Sequence, residues 1–279
     1  MNAVILAGGR GRRLAPYTTI LPKPLMPIGD MPILEVVIRQ LKHAGFDDIT
    51  MAVGYLAELL MAYFGDGARF GVRINYSREE QPLGTAGPLG LLGEMEEPFL
   101  VMNGDLLTTL DYRAMWEHHR HSRAMATLAT FQRDVKIDLG VVEVDEAHLV
   151  REYIEKPTYH YKVSTGIYVF EPEVLNQIPR GQHIDMPDLI RKLLAGGQRV
   201  TAYAFSGLWL DIGRTDDYER AIAEFELHRA EFVPMGVEDS ARMATGRTLD
   251  VLPGQRLSYR EAHRDRTQSP PLEEGTADG

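Results

Sequence analysis

Residues 1–27 read MNAVILAGGRGRRLAPYTTILPKPLMP, an apolar segment that runs into a glycine-rich loop and then into cationic side chains. The apolar residues predict a buried strand, after which the glycines let the backbone turn and present its N–H groups to an anion. Arg13 can bind phosphate oxygens through its forked guanidinium, and Lys23 supplies a point charge on a segment stiffened by Pro22 and Pro24. The stretch is therefore predicted to hold a phosphate chain at the end of the first strand.

The glycine spacing matches neither of the two familiar nucleotide-binding motifs. A P-loop requires GxxxxGK[ST], and no Lys-Ser or Lys-Thr pair follows these glycines. A dinucleotide fingerprint requires a third small residue where Leu14 stands. The spacing alone therefore favours an ordinary turn from a strand into a helix.

The complete string is more specific than the glycines. LAGGxGxRLxPxTxxxPKPLxPI, spelled by Leu6 to Ile28, resembles the signature of the sugar-1-phosphate nucleotidylyltransferases. Arg12 departs from it, because most members carry Ser or Thr at that position. Further motifs that resemble those of the family recur up to about Phe232, and they are most similar to mannose-1-phosphate guanylyltransferase-like members. The resemblance implies an enzyme that makes an NDP-sugar and pyrophosphate from an NTP and a sugar 1-phosphate.

Apolar periodicity predicts alternating strands and helices. We expect strands at 2–7, 48–53, 72–77, 99–103 and 125–131, and helices at 32–44, 56–64, 85–92 and 112–120. Strands separated by helices of this length indicate an α/β fold with a mostly parallel sheet and helices on both faces. The resemblance narrows this to a Rossmann-like mixed sheet in three α/β/α layers, the nucleotide-diphospho-sugar transferase fold.

The second half of the chain is richer in predicted strands. We expect strands at 140–144, 149–154 and 162–170, which extend the sheet and cover the sugar end, and a last helix from about 215 to 232. We therefore predict a nucleotidyltransferase domain over 1–233. The remainder, 234–279, is predicted to be a C-terminal extension, partly disordered from about residue 254, where Arg, Glu, Ser, Pro and Thr predominate.

Composition excludes several classes of function. The net charge of −10 argues against nonspecific binding of nucleic acid, which depends on basic patches. No apolar run approaches the length of about 20 residues that a membrane-spanning helix needs, and the N-terminus enters a strand without a signal sequence, so we expect no membrane partner. The absence of cysteine excludes disulfides and thiolate metal sites, and it is compatible with the cytoplasmic location that we expect.

Two aspartates follow apolar strands and are candidates for holding Mg²⁺. Asp105 lies in FLVMNGDLLT, at the carboxyl end of a strand where open α/β sheets bind ligands, and Asp211 lies in GLWLDIGRTDDY. Each could instead cap a helix or stabilise a turn. By the resemblance, the Asn-Gly-Asp turn corresponds to the family's metal-binding aspartate. Two carboxylates together with nucleotide phosphate oxygens would suit the octahedral coordination of Mg²⁺.

The resemblance also assigns a nucleotide site and a sugar site. Glu-Lys pairs are usually solvated surface, but EKP followed by STGIYVF is similar to the family's sugar site. There Lys156 would contact the sugar phosphate, Glu155 the sugar hydroxyls, and Gly166 and Gly140 would admit the sugar ring. Asn103 belongs to the same predicted sugar-phosphate set. The predicted nucleotide-binding residues are Leu6, Ala7, Gly8, Gly9, Gly11, Arg12, Gln81, Gly84 and Thr85.

The segment EEQPLGTAGPL is predicted to read the base. Gln81 offers both a donor and an acceptor to a base edge, while Gly84 and Thr85 would lie at the start of the helix predicted at 85–92. Thr85 could also simply cap that helix. PLGTAG resembles guanylyl members and some uridylyl or adenylyl members, so GTP is favoured.

Other conspicuous residues are given no functional role. His118, His119 and His121 lack the i, i+4 spacing of a helical zinc site and are predicted to form a solvated helix face. The 12 methionines are scattered among apolar positions and are expected to fill gaps in the core.

The predicted reaction is a Mg²⁺-dependent in-line transfer in which Arg13, Lys23 and Lys156 are the catalytic cations. Three alternatives stay open: a noncatalytic NDP-sugar-binding regulatory homologue, the same chemistry with UTP, dTTP, ATP or CTP, and a non-hexose phosphate acceptor. The resemblance suggests a homo-oligomer, either a dimer or a tetramer.

Overall fold

The structure is a computed structural model, and it describes residues 1–234. The strands are β1 (Asn2–Ala7), β2 (Pro27–Ile28), β3 (Met31–Pro32), β4 (Asp48–Val53), β5 (Arg73–Arg78), β6 (Phe99–Asn103), β7 (Leu106–Thr108), β8 (Ala126–Lys136), β9 (Val141–Val144), β10 (Val150–Ile154), β11 (Thr158–Phe170), β12 (Val200–Ala204) and β13 (Trp209–Asp211). The α-helices are α1 (Ile33–His43), α2 (Ala57–Phe64), α3 (Tyr112–Ser122), α4 (Met186–Ala195), α5 (Thr215–Leu227) and α6 (Arg229–Phe232).

The main sheet has seven strands in the order β12-β8-β11-β6-β1-β4-β5. Strand β1 pairs in parallel with β4 on one side and with β6 on the other, and β4 pairs in parallel with β5. The antiparallel strand β11 lies between β6 and β8, so the sheet is mixed. The predicted fold class is therefore confirmed.

Both faces of the main sheet are covered, as the alternation of side chains along β6 illustrates. Leu100 and Met102 pack into one apolar cluster with residues of α1 and α2, whereas Phe99 and Val101 pack into a second cluster with residues of α4. Successive side chains of a strand point to opposite faces, so a strand covered on both faces is apolar throughout. A third cluster lies beneath the N-terminal loops and includes Leu14, Met26 and Phe225.

A ribbon extends beyond the carboxyl ends of the parallel strands. The pairing of β11 with β6 ends where Ile167 lies opposite Met102, but its pairing with β8 continues as far as Thr158 opposite Lys136. The hairpin β9–β10 connects the outer ends of this ribbon. Residues 131–163 are called the arm below. The extended parts of β8 and β11 add surface at the edge of the sheet where the parallel strands end, which is where such sheets bind ligands.

Several predictions of local structure are wrong. The helix predicted at 85–92 is a 3₁₀ helix over Gly87–Leu91, in a segment where Gly84, Pro88 and Gly90 all disfavour an α-helix. The last predicted helix is divided at His228 into α5 and α6. Strands β7, β12 and β13 were not predicted, because they are too short to carry a clear pattern. Helix α4 was also not predicted, although its Met186, Leu189 and Leu193 recur at helical spacing.

The predicted solvated histidine face is also wrong at one position. His118 and His121 are exposed, but His119 is 0% exposed, and its Nδ1 lies 2.8 Å from Thr127 Oγ1. Its Nε2 faces Glu171 Oε1 at 3.3 Å without hydrogen-bond geometry. Burial lowers the pKa of His119 to about 4, with a smaller contribution from the charge of His118.

None of the helices within residues 1–234 is long and apolar enough to cross a membrane. Apart from Pro234, the predicted C-terminal extension lies outside the described residues. The boundary at 233 stays a prediction.

Candidate active site

A cavity of about 1300 Å³ opens at the carboxyl ends of the parallel strands. The glycine-rich loop after β1 forms one wall, and the segment after β5 forms another. All the predicted nucleotide-binding residues line this cavity: Leu6, Ala7, Gly8, Gly9, Gly11, Arg12, Gln81, Gly84 and Thr85. Arg13, Lys23, Asn103 and Asp105 line it as well. The structure therefore brings the triphosphate half of the predicted site together.

The glycine-rich loop needs glycine at position 11. Gly11 has φ of +58°, and a Cβ there would lie 2.9 Å from Thr18 Cγ2 and 3.4 Å from Lys23 Cβ. Thr18 fixes the same turn, because its hydroxyl donates a hydrogen bond to the Gly11 carbonyl at 2.9 Å. Nothing lies within 4 Å of a Cβ built on Gly9, so the backbone there is open to a ligand.

Lys23 and Asp105 form an ion pair on the cavity wall. Lys23 is only 7% exposed, and a buried ammonium requires a partner to compensate its lost hydration. The Asn-Gly-Asp turn is brought to the loop by a backbone hydrogen bond from Gly104 N to Leu6 O at 2.9 Å. The cation and the carboxylate are separated by 82 positions in the sequence, yet both border the glycine-rich loop.

Asp211 joins this cluster through the two-stranded sheet formed by β7 and β13. The antiparallel pairing places Asp211 opposite Leu106, the residue that follows Asp105. Burial raises the pKa of Asp211, and the charge of Asp105 raises it further, while Lys23 and Arg13 oppose that shift. Two carboxylates and two cations therefore lie within electrostatic reach of one another.

The donor set fits the Mg²⁺ that the fold family implies. Asp105 and Asp211 offer carboxylate oxygens, the ligand type that Mg²⁺ prefers, and the charge of Asp105 disfavours the anionic form of Asp211. Residues 1–234 contain no group of three or more His, Asp or Glu that could hold a metal ion. The remaining ligands would therefore have to come from substrate phosphates and water, as is usual for Mg²⁺.

The two arginines of the loop differ in their surroundings. The Arg13 guanidinium lies near Gly213, where a Cβ would make an ordinary contact with Nη1 at 3.5 Å, and its charge acts on Asp211. Arg12 is exposed and lines the cavity. The departure from the family signature thus adds a cation to the cavity wall.

One cavity residue that the sequence did not single out is Glu79. A Cβ on Gly8 would lie 2.5 Å from Glu79 Oε1, and one on Gly54 would lie 2.8 Å from the same atom. Glu79 Oε2 accepts a hydrogen bond from Leu83 N at 3.1 Å, which orients the carboxylate. The glycines at the ends of β1 and β4 together make room for a carboxylate from the end of β5. A signal in the sequence was the pair Glu79-Glu80, which begins two positions after the strand predicted at 72–77.

Thr85 has a different partner from the one predicted. Its hydroxyl accepts a hydrogen bond from Met186 N at 2.7 Å, and its own N–H donates to Asp185 Oδ1 at 3.0 Å. The cap that Thr85 provides is therefore at the start of α4, not at the helix predicted over 85–92. Gly84, the residue before Thr85, has φ of +79°, a left-handed conformation that glycine adopts readily, and it allows the backbone to turn before this contact.

The predicted sugar residues are divided between the sheet and the arm. Gly166 has φ of +78°, and a Cβ there would lie 2.6 Å from Asn103 Nδ2, so these two residues are in contact. Gly140, Glu155 and Lys156 lie on the arm and do not line the cavity. The space above Gly140 is filled by Tyr153, whose hydroxyl would be 2.2 Å from a Cβ on that glycine.

Comparison with known proteins gives a consistent result. A family model described as nucleotidyl transferase matches residues 2–227. The chain is 38% identical over 242 residues to a UTP–glucose-1-phosphate uridylyltransferase of Synechocystis sp., covering 80% of this chain and 62% of that relative. It is 31% identical over 285 residues to a mannose-1-phosphate guanylyltransferase of Mycobacterium tuberculosis, covering 92% and 78% respectively. The chain thus spans about three fifths of the length of the first of these relatives.

The fold is similar to that of solved structures. A putative glucose-1-phosphate thymidylyltransferase from Bacillus anthracis, crystallised with sucrose, superimposes with a TM-score of 0.67 at 26% identity, covering 86% of this chain and 99% of that one.

Proposed function

This chain belongs to the nucleotidyl transferase family, and from that premise we propose that it transfers a nucleotidyl group from an NTP to a sugar 1-phosphate. The products would be an NDP-sugar and pyrophosphate. The observation that carries this proposal is the apposition of Lys23, Asp105 and Asp211 beside the glycine-rich loop. We assign the reaction to residues 1–233.

The chemistry proposed for this site needs no covalent intermediate. An oxygen of the sugar phosphate forms a bond to the α-phosphorus of the NTP, and the bond from that phosphorus to the bridging oxygen of pyrophosphate breaks. The attacking oxygen is already an anion at neutral pH, so no general base is required. The protein's task is to align two polyanions and to offset their repulsion.

Each cation is proposed to act on a different part of the substrates. The backbone N–H groups at Gly8, Gly9 and Gly11 and the side chain of Arg13 would hold the pyrophosphate side. Lys23 would face the phosphates around the reaction centre, with its position fixed by Asp105. Asp105 and Asp211 would hold Mg²⁺, which when bound neutralises phosphate charge and fixes the geometry of the triphosphate.

GTP is the proposed nucleotide, and Glu79 is the support for it. An ionised carboxylate only accepts hydrogen bonds, and guanine presents two adjacent donors, N1–H and the 2-amino group. Uracil presents one donor flanked by two carbonyl oxygens, which would face the carboxylate unfavourably. Glu79 Oε1 accepts no hydrogen bond from any residue within 1–234 and borders the cavity. Gln81 is proposed to contact another part of the base edge.

The acceptor proposed is mannose 1-phosphate or a related hexose 1-phosphate. Its support is that several relatives named mannose-1-phosphate guanylyltransferase are 31–34% identical to this chain. The uridylyltransferase relative is the reason to test the nucleotide and the sugar together.

The experiment is a pyrophosphate-release assay over a grid of GTP, UTP, dTTP, ATP and CTP against mannose 1-phosphate and glucose 1-phosphate, with Mg²⁺ present. We expect the highest kcat/KM for GTP with mannose 1-phosphate, and mass spectrometry should find GDP-mannose. A maximum with another NTP would overturn the nucleotide assignment alone. No product from any pair, with NDP-sugar binding retained, would replace the enzyme by a noncatalytic binding homologue.

A further inference from the structure

Tyr153 connects every arm residue that we place on the sugar side of the site. It lies on β10 directly opposite Val142 of β9, and it leans across the hairpin toward Gly140. Its hydroxyl donates a hydrogen bond to Glu155 Oε2 at 3.0 Å. Glu155 Oε1 in turn lies 3.7 Å from Lys156 Nζ. One carboxylate is thus held from both sides, by a phenol and by an ammonium.

Gly140 makes this arrangement possible. A Cβ at position 140 would lie 2.2 Å from the Tyr153 hydroxyl and 2.4 Å from Cζ, distances that no real contact shows. Because the obstacle would be an aromatic ring anchored on the neighbouring strand, the ring would have to leave its place. Glycine at position 140 therefore lets the ring occupy this place, and a glycine beside a cross-strand aromatic residue is a known way to fix a hairpin.

The backbone beside Glu155 is also constrained. Lys156 has φ of +46°, a left-handed conformation that is uncommon for residues other than glycine, and it precedes Pro157. Such conformations persist where the surrounding structure imposes them, and they are concentrated at functional sites. The Lys156 side chain lies beside Glu155 in the connection between β10 and β11.

We propose that Tyr153 is a positioning residue for the sugar 1-phosphate, a role that rests on the function proposed above. By fixing Glu155 relative to Lys156, Tyr153 sets the spacing between the acceptor for a sugar hydroxyl and the cation for the sugar phosphate. Tyr153 is 63% exposed, and its ring supplies an apolar surface against which the C–H groups of a hexose pack. The phenol touches Glu155, not the reacting phosphorus, so its effect is on binding the acceptor.

The test compares Tyr153→Phe with Tyr161→Phe, a matched control. Tyr161 lies on the same arm and is 54% exposed, and its hydroxyl makes no hydrogen bond to residues within 1–234. With GTP and mannose 1-phosphate, Tyr153→Phe should raise the KM for the sugar phosphate roughly three- to tenfold, because the lost hydrogen bond is exposed and acts on the acceptor only through Glu155. The kcat and the KM for GTP should stay within twofold of wild type, and Tyr161→Phe should change none of these.

Two further variants separate a positioning role from a structural one. Gly140→Ala should displace the ring and raise the same KM at least as much, although it lies outside the hydrogen bond. In a double-mutant cycle, Tyr153→Phe should add little to Glu155→Gln if the phenol acts through that carboxylate.

The outcomes are distinguishable. A wild-type protein that releases no pyrophosphate from any pair overturns the proposed function and this role with it. An active wild type in which Tyr153→Phe and Tyr161→Phe have the same KM values overturns the positioning role alone. Additive effects of Tyr153→Phe and Glu155→Gln would also overturn it.

Discussion

The cavity wall and the arm each present a lysine next to a carboxylate, but the two pairs differ in burial. Lys23 is 7% exposed and is in contact with Asp105, whereas the side chains of Lys156 and Glu155 are 58% and 59% exposed and stand 3.7 Å apart. A buried pair is strongly destabilised when one partner is removed, while an exposed pair contributes little to stability. The ion pair proposed for the nucleotide half of the site should therefore contribute more to stability than the pair proposed for the sugar half.

The origin of this difference is the sheet. Lys23, Asp105 and the glycine-rich loop lie at the ends of strands that are covered on both faces, so their positions are fixed by the core. Glu155 and Lys156 lie between β10 and β11, beyond the last residues that pair with β6, and they belong to none of the three apolar clusters. Substitutions in the two halves should accordingly have different effects.

The largest effect is expected from Asp105→Asn. It removes one of the two carboxylates proposed to hold Mg²⁺, so turnover should fall by about 100-fold or more while the circular dichroism spectrum is unchanged. The measurement is steady-state pyrophosphate release at saturating Mg²⁺ and substrates. Unchanged turnover would remove Asp105 from the mechanism.

A matched second variant tests whether burial is the cause of any loss in stability. Asp105→Asn leaves the Lys23 ammonium without its carboxylate, so the unfolding midpoint should also fall. Combining it with Lys23→Met should restore the midpoint but not the turnover. A midpoint unaffected by either change would show that the pair is not buried in solution.

On the arm, Lys156→Ala should act almost entirely on the acceptor. We expect the KM for mannose 1-phosphate to rise about 10- to 100-fold, the range for losing a hydrogen bond to a charged group, with an unchanged unfolding midpoint. GTP binding, measured by calorimetry, should persist. Lys162→Ala, an exposed lysine on the same arm, is the control, and equal damage to both substrates would contradict the division into two halves.

We expect acid to lower the free energy of unfolding through His119, which contacts the part of β8 next to the arm, and not through the outer part of the arm. His119 contacts Thr127 in the part of β8 that lies within the sheet, and its pKa falls from 6.5 to about 4 on folding. Between these values the unfolded chain binds the extra proton, so stability is full above pH 6.5 and is lost as the pH falls toward 4. From pH 7 to pH 5 the loss should be about 2 kcal/mol.

Urea unfolding at pH 7, 6 and 5 measures this loss. His119→Asn should flatten the dependence, and His121→Asn, at an exposed position, should not. Glu171, the pKa of which burial raises, acts in the opposite direction, but it is partly exposed and its contribution is smaller. Equal pH dependence in both variants would exclude His119 as the source.

The smallest effect is expected at the base. Glu79→Gln keeps the shape of the side chain but replaces one acceptor by a donor, so the preference for GTP over UTP should shrink by about tenfold. The ratio of the two kcat/KM values is the measurement. Glu80→Gln, at the neighbouring exposed position, is the control, and a larger change there would transfer the role to Glu80.

Much of the fold could be predicted, because short segments of the sequence indicate their own secondary structure. The strands predicted at 2–7, 48–53 and 99–103 match β1, β4 and β6 residue for residue, since a strand buried on both faces is a short apolar run ended by Gly, Asn or Asp. Strand β12 escaped prediction, because it is short and is stabilised by its pairing with β8. Helix α4 was missed although its Met186, Leu189 and Leu193 recur at helical spacing and pack into the second cluster.

The candidate site divides in the same way. The N-terminal string sufficed to identify the family and to select residues that line one cavity, because a phosphate-binding loop is a continuous segment whose glycines and cations act over a few positions. The roles of those residues stay predictions. Glu79 was missed, because its place in the cavity depends on Gly8 and Gly54, which follow two other strands.

By itself, then, the sequence determined the family, the alternation of strands and helices, and the composition of the phosphate-binding loop. Only the tertiary structure decided that Lys23 pairs with Asp105, that Asp211 lies beside them, that His119 is buried and that Tyr153 occupies the space above Gly140. The physical reason is that these contacts are set by strand order and register. Strand order and register bring together residues that are mostly far apart along the chain. A periodic pattern in the sequence indicates only which face of a strand or helix is apolar.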